Sequence, residues 1–217
     1  MATDNSFARL MKSYGRLTIF LIPIGIAVNF VGGQIALLLK LPLYLDSIGT
    51  ILVGATCGAL PGALVGLLSN AINSITSPPT FAFAILNVLF GLLAGLLGRY
   101  GVFKSWWKTL LSAIPFAFIG GFGGALITIW VLGGAAVGGT GLVVGSLVAA
   151  GMPVNTANFV AQLPIDLVDK VPTVLIVFAI ISGIPRRLMV KLPLGYVYLS
   201  PSGGGPGTGA TGASRVR

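Results

Sequence analysis

The side chains here that can do chemistry are few, and most are amides rather than acids or metal ligands. The sequence holds four aspartates (Asp4, Asp46, Asp166 and Asp169), no glutamate, no histidine and one cysteine, Cys57. Zinc hydrolases and most metal transporters draw on His or Glu, so that chemistry has no donors. One cysteine makes neither an intramolecular disulfide nor a dithiol pair. No G-x-x-x-x-G-K-[ST] run occurs, so the chain has no motif with which to hydrolyse ATP itself. What remains is hydrogen bonding. Asn29, Gln34, Asn70, Asn73, Asn87, Asn155, Asn158 and Gln162 are joined by Tyr44, Asp46, Ser47, Thr80 and Trp130. Asn70 and Asn73 share a helical face, as do Thr80, Phe83 and Asn87. An amide both donates and accepts, and burying one unpaired is costly. For any single amide, a bond inside a helical bundle explains it as well as a ligand does; the grouping of so many favours a pocket for a polar organic molecule.

The charged trio Asp166, Asp169 and Lys170 divides in the same way. Pro164 suits the first turn of a helix, which places both aspartates where the helix dipole favours negative charge. Asp166 and Lys170 are four apart, a spacing that forms ion pairs. Asp169 has no such partner and is therefore the one assigned to ligand.

These residues are carried by a very apolar chain. Of 217 residues, 55% are hydrophobic and 8% charged, with a mean hydropathy of +1.00; a soluble domain of this size cannot cover so much apolar surface. Six apolar spans are expected, at 17–39, 44–57, 62–75, 80–97, 109–132 and 165–184. The two between 44 and 75 are short for a hydrocarbon core of about 30 Å. The fold class expected is an all-α integral membrane protein, a bundle of six transmembrane helices. Numbering the gaps, one side receives Arg9, Lys12, Arg16, Arg99, Lys104, Lys108, Arg186, Arg187, Lys191, Arg215 and Arg217, and the other only Lys40 and Lys170. Positive residues are retained in the cytoplasm, so both termini are expected there, in a cell membrane. The net charge of +9 follows the spans rather than forming one basic face, which argues against nucleic acid and for anionic headgroups.

The first span follows a basic stretch, as a signal peptide does, but has the roughly 20 residues of a full crossing and no small-residue cleavage site. It is read as uncleaved. Residues 1–16 are expected to be a cytoplasmic segment, 17–192 the transmembrane substrate-binding domain and 193–217 a flexible Gly/Pro-rich tail. The uncharged stretch 133–164 is too apolar for a free loop and is expected to fold over the outer mouth as interfacial or re-entrant helix. Gly32 with Ala36, Gly62 with Gly66, Gly91 with Gly95 and Gly120 with Gly124 are small pairs at helical spacing, which let helices approach closely. Tyr100, Trp106 and Trp107 form an interfacial belt, and Cys57 is a packing residue. With the topology fixed, Asn29, Gln34, Tyr44, Asn73, Asn87, Trp130 and Asp169 share the outer half and are the expected substrate-binding set.

The segments Leu41-Pro42-Leu43-Tyr44-Leu45-Asp46-Ser47-Ile48-Gly49-Thr50 and Gly58-Ala59-Leu60-Pro61-Gly62-Ala63-Leu64-Val65-Gly66, with Asn87 and Gly91 and then Asp169-Lys170, occur in an order and spacing that resemble a known family. The chain resembles the substrate-binding S components of energy-coupling factor (ECF) vitamin transporters, over nearly all of 17–192. The resemblance implies a six-helix subunit that captures a vitamin or cofactor precursor outside, joins a transmembrane coupling subunit and two ATPase subunits, and topples to deliver its ligand. It implies no cofactor and no catalysis by this chain. Family members often carry an Ala-x-x-x-Ala pair in the first span for docking; here Pro23 and Ala27 stand there, leaving Gly25 and Ala27 as the smooth surface. The ligand preferred is cobalamin or a nucleoside-like precursor, because the pocket is amide-rich. The alternative is a sensory or scaffold protein without transport. A channel lacks its polar stripe, an intramembrane enzyme its catalytic residues. The absence of a repeat between the halves argues against an inverted-repeat transporter.

Overall fold

The computed structural model describes residues 15–199, and every regular element among them is helical. In chain order these are α1 (Arg16–Leu38), α2 (Ile48–Cys57), α3 (Ala59–Thr76), a 3₁₀ segment (Pro78–Phe83), α4 (Ala84–Arg99), α5 (Trp106–Trp130), α6 (Gly138–Ala149), α7 (Val154–Gly183), and the short α8 (Arg186–Met189) and α9 (Gly195–Leu199). Four helical stretches are long and apolar enough to cross a membrane: α1, α3, Pro78–Arg99 and α5. α7 is longer than any of them, at 30 residues, and carries Asp166, Asp169 and Lys170 in its middle.

Seven of the described basic residues, all but Lys40 and Lys170, mark one end of the bundle. Arg16, Arg99, Lys104, Lys108, Arg186, Arg187 and Lys191 flank termini that meet there. Gly15 lies against the Lys191 carbonyl and Gly98 against Ala55. The Leu194 amide donates to the Thr56 carbonyl at 3.0 Å, and the Tyr198 hydroxyl donates to the Ala55 carbonyl at 2.9 Å. The expected tail boundary at 193 therefore moves. Residues 193–199 pack on the end of α2, with Leu194 buried, because an apolar Leu-Gly-Tyr-Val-Tyr-Leu run finds cover there. The rest of the expected tail, and segment 1–14, lie outside the described residues.

In this half, small residues bring helices into backbone contact. A Cβ added to Gly91 of α4 falls 2.2 Å from the Gly62 carbonyl carbon of α3, and one added to Gly49 of α2 falls 2.0 Å from the Gly25 carbonyl oxygen of α1. Only glycine allows such approach, and packing at that distance drives helix association in lipid. α2 ends at Gly58, whose φ of 109° is a left-handed conformation that glycine adopts without strain. Ile51, Val53, Phe116, Val174 and Val177 fill the space between.

α7 departs from the sequence reading. Pro164 was expected to begin the helix, yet α7 starts at Val154 and runs through both Pro164 and Pro172. The reason is local packing: Gly121 of α5 lets the Leu163 backbone approach so closely that an added Cβ would sit 2.8 Å from its Cα. Interior prolines persist where neighbouring helices hold the segment. The 133–164 stretch thus resolves into a glycine-rich turn, α6 and the first turns of α7.

Candidate ligand cavity

α2 begins late, and that opens a cavity. Its first turn is capped from α1: the Asn29 Oδ1 accepts from the Gly49 amide at 2.7 Å. Asn29 precedes the end of α1 by nine residues, so α2 starts roughly 14 Å short of that end at 1.5 Å per residue. The linker 39–47 spans the difference, dipping into the bundle, and a void is left between it, α3, α4, α5 and α7. The void has about 130 Å³ reachable by the centre of a water molecule, against the roughly 10–15 Å³ that one water needs. It is sized for an organic molecule.

Its polar wall is a chain of amides whose orientation is fixed. The Thr80 carbonyl only accepts, so Asn70 must turn its Nδ2 toward it, at 2.9 Å. The Asn70 Oδ1 then accepts from the Asn87 Nδ2 at 2.7 Å, which also reaches the Asp46 carbonyl at 3.3 Å. The Asn87 Oδ1 is left buried without a partner, as is the Asn73 Oδ1. Both side chains line the cavity. Buried acceptors of this kind cost about 1–3 kcal/mol unless something donates to them.

The charged wall comes from α7 and the linker. Lys170, wholly buried, donates to Asp169 Oδ2 at 2.5 Å and to the Ser47 hydroxyl at 3.2 Å, with Asp166 Oδ1 at 3.7 Å. The other oxygen of Asp169 accepts from the Tyr44 and Leu45 amides, each at 3.0 Å. Leu45 has a φ of 50°, a conformation costing about 1–2 kcal/mol for a side-chain-bearing residue, and these charge-assisted bonds offset it. Asp46, Asp166 and Lys170 line the cavity. Above them the linker meets the start of α6, where the Thr140 hydroxyl donates to the Tyr44 hydroxyl at 3.1 Å. Gly139 lies against the Leu41 carbonyl there, with a Cβ clash distance of 2.3 Å.

Of the expected binding residues, Gln34, Tyr44, Asn73 and Asn87 line this one cavity. Gln34 is steadied by the Thr76 hydroxyl, to which it donates at 2.9 Å. Three others sit elsewhere. Asn29 is fully buried behind the cavity, and its amide also donates to Thr50 and Ser69 at 2.8 and 2.9 Å; it staples α1 to α2 and α3. Asp169 is likewise fully buried and saturated by Lys170 and two backbone amides, so the expectation that it lacks a partner is corrected. Trp130 closes α5 and is 82% exposed, outside the lining. On α1, Gly25 is buried against Gly49 and Val53, which removes it from the surface, whereas Ala27 and Pro23 are exposed.

The residues undervalued by spacing are Asp166 and Lys170. Three charges within one apolar helix are themselves a signal of function. Among the described residues the structure thus defines an all-helical bundle, with four helical stretches long and apolar enough to cross a membrane, around an amide- and carboxylate-lined cavity. Compared with protein-family models, curated proteins and solved structures, the chain matches none.

Proposed function

We propose that the chain is the membrane-embedded substrate-binding subunit of an ECF-type importer, holding a vitamin or cofactor precursor in this cavity. In this reading α1, α2, α3, Pro78–Arg99, α5 and α7 are the six crossings. The basic end faces the cytoplasm with both termini, and the cavity opens outward. α2 spans only about 15 Å at 1.5 Å per residue, and the linker completes its crossing inside protein, where irregular backbone is tolerated.

The observation that carries the reading is the cavity with two unpartnered buried acceptors, Asn73 and Asn87, at the end of the bundle away from the arginines. A bundle that needed these amides only for packing would pair them. The cavity's size favours a one- or two-ring, nucleoside-like molecule over cobalamin, whose macrocycle needs a wider opening. With no nucleotide-binding motif, energy must come from separate coupling and ATPase subunits, and the exposed face of α1 that includes Pro23 and Ala27 is the docking surface. Co-expression with an ECF coupling module tests this. The chain should co-purify with the ATPases, and in liposomes it should accumulate ligand only when they and ATP are present. Uphill uptake by the chain alone, or no association, would overturn it.

A further inference from the structure

The cavity's electrostatics specify its occupant further, if the substrate-binding reading above holds. Three carboxylates, Asp46, Asp166 and Asp169, gather around one ammonium, Lys170. Asp169 and Lys170 form a closed unit: the ammonium is held by Asp169 and Ser47, and the second Asp169 oxygen is filled by two backbone amides. Asp166 lies at 3.7 Å from Lys170, beyond hydrogen-bond reach. Asp46 forms no ion pair among the described residues. Buried Asp166, paired only at 3.7 Å, and half-buried Asp46 thus line the cavity with lone pairs open to further donors.

The amide wall asks for the same thing. Asn87 is 3% exposed and Asn73 6%, each with an acceptor oxygen lacking a partner. The bond sequence from the Thr80 carbonyl through Asn70 fixes which end of Asn87 is free. Lys170 is the one basic residue in the lining, and it is already engaged. A carboxylate or phosphate placed here meets the unpartnered asparagine oxygens and two carboxyl groups, and no free cation. The remaining wall includes Phe83, Leu86 and Phe90, flat and apolar.

We propose that the ligand presents N–H donors on a cationic or aminated edge to Asp46, Asp166 and Asn87. Its class is an amidine-like or amino-substituted heteroaromatic ring.

Three probes of one shape separate the possibilities: benzamidinium, benzamide and benzoate. Each is titrated against the purified chain carrying Thr80→Cys, and protection of that thiol from a maleimide is read beside the thermal unfolding midpoint. Benzamidinium should protect at least about tenfold better than benzoate, with benzamide between, since an ion pair in a low-dielectric site exceeds the 1.4 kcal/mol that tenfold represents. Asp46→Asn with Asp166→Asn should collapse that preference. If the double variant fails to fold, Asp46→Asn alone, which breaks no ion pair, serves. Benzoate protecting as well as benzamidinium overturns the donor assignment and leaves the cavity a substrate site. No protection by any probe, with the thiol labelled freely, overturns the substrate-binding reading as well.

Discussion

The two halves of this bundle are built from the same small-residue sequence and behave in opposite ways. At the basic end, Gly62 and Gly91 let α3 and α4 touch backbone to backbone. Toward the cavity, Gly120 and Gly124 of α5 also lack side chains, yet what faces them is the tip of Asp166 and the tip of Gln162. One pair closes a seam; the other makes room. A glycine opens space, and the opposing element decides whether helix or cavity fills it. At the first seam α2 also closes in, with Gly54 against Gly62; at the second, side chains of α7 face the glycines and α2 stops short.

The comparison breaks most visibly at the hinge between the halves. Asp169→Ala takes from a buried ammonium its nearest carboxylate, leaving it Asp166 at 3.7 Å, and frees the strained turn at Leu45. It should cost about 3–5 kcal/mol, measured by thermal unfolding in detergent. A loss of ligand protection with unchanged stability would instead make Asp169 a ligand residue, as its sequence context suggested.

Matched glycine substitutions sharpen the contrast. Gly91→Ala forces a Cβ into the Gly62 backbone and should cost about 2–3 kcal/mol through overpacking. Gly124→Ala meets a side-chain end rather than backbone, that of Gln162, whose amide Thr128 and Asn158 hold, and should cost less, about 1–2 kcal/mol. Equal costs would mean that the cavity half is packed as tightly as the other.

Two of the buried asparagines divide the same way. Asn29→Ala abandons the Gly49, Thr50 and Ser69 groups and should lower stability by about 1–3 kcal/mol. Asn87→Ala should remove an acceptor aimed at ligand. It should weaken benzamidinium protection of Thr80→Cys by roughly 5- to 150-fold while the fold survives. The smallest effect belongs to Gly145→Ala in α6, where nothing lies within 4 Å; fewer unfolded conformations should add about 0.4–1 kcal/mol.

Much of this was legible in the sequence because apolar runs and breakers are local. The spans expected at 17–39 and 109–132 fall within a few residues of α1 and α5, and the break expected between 75 and 80 falls at Ser77, ahead of the 3₁₀ segment. Gln34, Asn73 and Asn87 converge because their helices put them at one depth, and Tyr44 joins them from the linker that dips into the bundle. What was not legible depends on distant partners. The bonds of Asp169 reach back 125 and 124 positions to Tyr44 and Leu45, and those of Asn29 forward to α2 and α3. Neither spacing nor residue type marks them as saturated. Pro164 misled for the same reason, since α7 continues through it where Gly121 of α5 lets the Leu163 backbone pack closely. Trp130 has the right depth in the chain and the wrong direction around its helix.

The most direct measurement is of what the protein holds. The chain, extracted mildly from its membrane, is offered a small-molecule extract, washed, denatured, and its released contents identified by mass spectrometry. The account predicts one N–H-bearing ring compound released from the parent and from Trp130→Ala, and largely absent from folded Asn87→Ala. Equal release from Asn87→Ala, or nothing released from a folded parent, would contradict it.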